Sequence, residues 1–130
     1  MDDPSRLTAM ERAILERVAA ENWPGYDVDR VRVERRKFTG VGKFVHLTPV
    51  PGSALPDGVD SAGKGALDML GIRHSLFFSV LVKNGSPYYL EIATCGDESW
   101  DGAEREFRFL EMDDGETLRQ PPRPPGAASS

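Results

Sequence analysis

HSLFFSVLVKNGSPYYLEIAT, residues 74–94, decides the fold. Asn84-Gly85 at its centre is the strongest short hairpin signal, because a type I′ turn needs positive φ at both central residues. His74 to Lys83 then makes one strand and Tyr88 to Thr94 the returning one, with Pro87 tolerated near a strand start. Side chains alternate along a strand, so Leu76, Phe78, Val80 and Val82 face one way while Phe77 and Leu81 face the other. Apolar residues on both sides predict a central strand covered on both faces for part of its length. On the return, Tyr88, Leu90 and Ile92 are expected to share a face.

Working upstream, Thr8 and Glu11 are spaced as a capping box at the start of a helix running to about Glu21. Leu7, Met10, Ile14 and Val18 recur at helical spacing, with Leu15 and Ala19 widening the apolar stripe. Pro24 then pushes Trp23 out of helical geometry. Val31 and Val33 alternate with charged neighbours, as in a half-exposed strand. Phe38-Thr39-Gly40-Val41-Gly42-Lys43-Phe44 brings two glycines between aromatics, the mark of a bulge, bend or turn. A strand resumes from Lys43 to Thr48, and the proline- and glycine-rich residues 49–65 form a loop. Ala66 to Leu70 fits one helical turn or a short strand. Downstream, the segment from Cys95 to Gly102 is turn-rich, and Arg105 to Met112 makes a last strand with Phe107 and Phe109 inward.

The expected class is α+β: one N-terminal helix packed on a curved antiparallel sheet of about five to six strands. Residues 7–113 form that domain, residues 1–6 a flexible N-terminus and residues 114–130 a disordered Pro-rich tail. A chain of 130 residues, 39% hydrophobic and 28% charged, has room for one ordinary core.

Three segments carry a resemblance: LTAMERAILERV (7–18), RRKFTGVGKF (35–44) and the stretch from Leu90-Glu91-Ile92 to Glu98-Ser99-Trp100. The chain resembles a family of small uncharacterised bacterial proteins that begin with a comparable helix and carry an R-x-F-T-G-V-G-x-F segment. The resemblance covers roughly residues 7 to 112 and implies a bacterial origin and a shared fold. It implies no activity, cofactor or catalytic residue. The family commonly places a proline after the tryptophan, where this chain has Asp101.

Composition excludes several function classes. The N-terminus lacks the basic region and unbroken apolar core of a secretory signal. Leu76 to Val82, interrupted by Ser79, is far too short to span a bilayer, so no membrane partner is expected. One cysteine forms no internal disulfide, and a cytoplasmic location is expected. Net charge is −5, a poor basis for nucleic-acid binding. The charge is nonetheless uneven: +4 from Asp29 to Lys43 and −7 from Asp97 to Glu116.

No catalytic constellation is legible. Gly58 to Gly65 nearly spells a P-loop, but it lacks the terminal Ser or Thr that would hold magnesium and follows no buried strand. Cys95 with His46 or His74 supplies the residue types of a thiolate–imidazolium pair without any spacing that brings them together. Two histidines and one cysteine lack the paired spacing of zinc ligands, and Asp113-Asp114-Gly115-Glu116 lacks the framework of a calcium loop. No metal, cofactor or catalytic residue is assigned, and the sequence leans away from an enzyme without deciding the question.

The expected function is a non-enzymatic module that binds a protein partner or associates with itself. Its partner-binding residues are Arg30, Arg32, Arg35, Arg36 and Lys37, on a strand expected at a sheet edge. These five are also what a nucleic-acid surface would use, with cross-strand ion pairing as the plainer alternative. A small-molecule binder or minor enzyme, with a pocket between the sheet and loop 49–65, is the alternative function. It would draw on His46, His74, Tyr88, Tyr89 and Glu91, with Trp100 as a wall.

Overall fold

The computed structural model describes residues 3–56, 64–96 and 98–110. In chain order it has helix α1 (Ala9–Asn22), a 3-10 turn (Val28–Arg30), and strands β1 (Arg32–Phe38) and β2 (Gly42–Thr48). Strands β3 (Lys64–Met69), β4 (Leu76–Lys83), β5 (Ser86–Thr94) and β6 (Phe107–Phe109) follow. The six strands form one open antiparallel sheet in the order β1-β2-β5-β4-β3-β6. The α+β class therefore holds.

The hairpin forms as its dipeptide dictates. Asn84 and Gly85 take φ of 55° and 79°, the left-handed pair that closes β4 onto β5. The beginning of the loop after β2 packs on this turn, because the Leu55 N–H donates to Gly85 O at 2.9 Å and Ser53 Oγ donates to the same carbonyl. Pro87 lies beyond the last residue of β5 paired with β2, at a point where the β4–β5 register also slips. That slip, between Leu81 and Val82, leaves Tyr88 out of the alternation expected for Tyr88, Leu90 and Ile92. Leu90 and Ile92 are fully buried, whereas Tyr88 is exposed.

Helix α1 starts with the capping box, Thr8 Oγ1 accepting from the Glu11 N–H and Glu11 Oε1 accepting from the Thr8 N–H. Met10, Ile14, Leu15, Val18 and Ala19 bury its apolar stripe. They join Val33, Val45, Leu47, Leu76, Phe78, Val80, Leu90 and Ile92 in one core beneath the helix. Gly65 fits a special need here: a Cβ on it would lie 2.5 Å from the Phe78 ring.

Residues 3–6 are bonded to the sheet edge. The Val33 N–H donates to Ser5 O at 2.7 Å, and the Arg36 guanidinium donates to Pro4 O and Arg6 O. The first and last parts of the RRKFTGVGKF…ESW pattern also meet, since the Trp100 N–H donates to Gly40 O at 2.8 Å. The helical turn weighed for Ala66 to Leu70 gives way to strand β3, and the last strand is shorter than expected. The near-P-loop lies largely outside the described residues, and the Asp113–Glu116 turn and Pro-rich tail lie wholly outside them.

Candidate functional site

The register assigns each side of the sheet. On β1, β2 and β5, Lys37, Phe44 and Glu91 lie in one row across the sheet, and Arg35, His46 and Tyr89 in the next. Ser79 and Leu81 extend these rows onto β4, with Phe77 on the same side. This face is opposite the core face of Val45, Leu90 and Val80, onto which both helical elements pack. Phe77 is 49% exposed, and Phe44, His46, Leu81, Tyr89 and Glu91 are half-buried. The second covering layer anticipated from Phe77 and Leu81 is thus not found among the described residues. Alternation reports which way an apolar side chain points, not whether anything lies over it.

The face has internal order. The Phe44 and Tyr89 rings stack with centroids 5.5 Å apart and planes at 23°, and His46 meets Tyr89 edge-on at 5.1 Å. Such cross-strand aromatic pairs contribute roughly 0.2–1 kcal/mol each. Burial first, and then the Glu91 carboxylate, push the Tyr89 hydroxyl above its ordinary pKa, so it stays protonated at neutral pH. Glu91, Lys37 and Arg35 have no ion-pair partner among the described residues.

The six residues of the alternative small-molecule site separate. His46, Tyr89 and Glu91 lie together on this face. Tyr88 stands at its hairpin end, with Lys83 Nζ 5.1 Å from its ring centroid. His74 is in the exposed β3–β4 connection, where its backbone N–H donates to Glu98 Oε1 at 3.0 Å. Trp100 is buried in the core, its indole N–H donating to Ala103 O at 2.9 Å. Val50 and residues 52–55 line a cleft of about 290 Å³, but with Gly25, Tyr26, Asp27 and Arg30. Val50 and Leu55 pack against the core, on the helix side of the sheet.

The basic cluster is divided as well. Arg30 donates to Pro51 O and Arg32 to Asp29 O. Arg36 turns beneath the helix, where it and Lys43 converge on Glu11. Lys43 Nζ lies 2.8 Å from Glu11 Oε2 and 3.0 Å from Glu104 Oε2, and Thr8 Oγ1 donates to Glu104. Burial pushes the Glu11 carboxyl up, but Arg36, Lys43 and the Thr8 N–H outweigh it and bring the group down to about 2. The network fastens helix to sheet. Only Arg35 and Lys37 remain exposed without such anchors.

Cys95 is half-buried. Burial, together with the Glu98 and Asp68 carboxylates, raises its thiol pKa, the reverse of what a nucleophile needs. No group of three or more His, Cys, Asp or Glu side chains among the described residues is placed to hold a metal ion. No described helix is long and apolar enough to cross a membrane.

Sequence reasoning missed the pairing of the rows: Phe44 and Glu91 belong to distant segments, and only β2–β5 pairing makes them neighbours. No protein-family model, curated protein or solved structure matches the chain.

Proposed function

We propose that the protein is a non-enzymatic interaction module and that its working surface is the sheet face opposite α1. One observation carries the reading. A stacked aromatic pair, an exposed Phe77 and unpaired charges share a sheet face over which no described helix packs. Aromatic residues and arginine are over-represented where chains dock. The raised Cys95 thiol supports a binding role over nucleophilic catalysis.

A photo-crosslinking residue placed at Phe44, and in a separate variant at Ala20 on the exposed side of α1, tests this in cells of the natural host. Capture of a protein chain from position 44 and not from position 20 supports the reading. Equal capture from both positions, or none from either, contradicts it.

A further inference from the structure

We infer that the occupant of this face is a second copy of the chain, packed face to face about a two-fold axis that runs along β2. This rests on the interaction-module reading and names its partner.

The charge order across the strands carries the inference. Lys37, Phe44 and Glu91 occupy β1, β2 and β5 in one row, reading cation, aromatic, anion. Neighbouring strands lie about 4.8 Å apart, so the two charges flank Phe44 at matching distances. Rotation by 180° about an axis along β2 reverses the row and leaves its level unchanged. Lys37 of one copy then faces Glu91 of the other, Glu91 faces Lys37, and Phe44 faces Phe44. The next row, Arg35, His46 and Tyr89, obeys the same operation. Arg35 is brought to the Tyr89 ring of the other copy, a cation–π arrangement, at both ends. An isologous interface needs this kind of self-complementarity, because one patch must serve as both partners.

Other placements do worse. An axis across the strands sets β1 on β1, so that Arg35 and Lys37 meet cations, and like charges brought together oppose association. Sheets pack face to face about 10 Å apart at angles near 30°, a gap that a lysine and a glutamate side chain reaching toward each other bridge. The packing also supplies an opposite charge to Glu91, a half-buried carboxylate with no ion-pair partner among the described residues.

Sedimentation equilibrium on the full chain and three variants tests it, with circular dichroism checking that each variant folds. The wild type should reach twice its 14.3 kDa mass at concentrations below about 1 mM. Glu91→Lys and Lys37→Glu each set like charges together and should weaken the dimer about tenfold or more. The double reversal restores opposite charges and should return the dimer Kd to within about threefold of wild type. A wild type that stays monomeric, single reversals without effect, or a double reversal no tighter than the singles overturns the two-fold packing. If the wild type is monomeric while position 44 captures a different chain, self-packing fails and the interaction-module reading stands. If position 44 captures nothing, that reading fails too.

Discussion

Lys43 Nζ sits 2.8 Å from Glu11 Oε2, and both side chains are almost wholly withdrawn from water. The pair joins the first turn of α1 to β2, so a polar contact does part of the work usually left to apolar packing. A buried pair of this kind adds little beyond an apolar replacement, but removing one partner strands the other. Glu11→Ala leaves Lys43 with only the partly exposed Glu104 and removes the carboxylate partner of Arg36, which keeps the Pro4 and Arg6 carbonyls. It should cost about 3–5 kcal/mol in urea denaturation. Lys43→Met leaves Glu11 with Arg36 and the Thr8 N–H and should cost less. Equal losses for the two would contradict the network as described.

The same carboxyl sets a pH dependence. In the folded chain Glu11 titrates at about 2, below its ordinary value in the unfolded chain. Between those values the unfolded chain binds more protons, so acidification favours unfolding. The contribution is complete above about pH 5 and fades as the pH falls toward about 2. Urea midpoints should drop across that window, and Glu11→Gln should flatten the drop. An unchanged slope in the variant would assign the acid sensitivity to other carboxylates.

Two glycines are fixed by their surroundings. A Cβ on Gly85 would sit 2.6 Å from Ser53 O, at a φ of 79°. A Cβ on Gly42 would collide with the backbone of Ile92 and Ala93 on β5. Gly85→Ala and Gly42→Ala should each lose about 1–3 kcal/mol. Asn84→Gly, which keeps a residue at ease with positive φ, should be nearly neutral. A tolerated Gly42→Ala would mean that β2 and β5 approach less closely than described.

The Cys95 thiol, raised by burial and by nearby carboxylates, should react with iodoacetamide at neutral pH more slowly than free cysteine. Faster alkylation would reopen nucleophilic chemistry.

Sequence pattern made the hairpin, the capping box and the helix stripe legible, because each is set by residues close in the chain. Asn84-Gly85 fixes its turn through its own φ values, and Thr8 with Glu11 closes its own cap. The position of β3 between β4 and β6 was not legible, since the intervening residues carry no register signal. Glu11 reads in the sequence only as half of a capping box, yet it is fully buried and paired with Arg36 and Lys43 from β1 and β2. The basic run Arg30 to Lys37 looked like one surface, and the bulge near Glu34 with the demands of Glu11 split it. Of the candidate site, His46, Tyr89 and Glu91 were legible by alternation. Phe44 was not legible as a site residue, and it lies between Lys37 and Glu91 in their row.

The surface proposed to bind is the part of the sheet face that carries Phe44, His46 and Tyr89, and its proposed occupant is a second copy. A dilution series followed by side-chain NMR, from about 1 mM to about 10 µM, tests it most directly. Ring signals of Phe44, His46 and Tyr89, on the strands that the second copy covers, should shift together with concentration, while those of Met10, Leu15 and Trp100 stay fixed. Spectra that do not change with concentration, or shifts confined to the helix side, would contradict it.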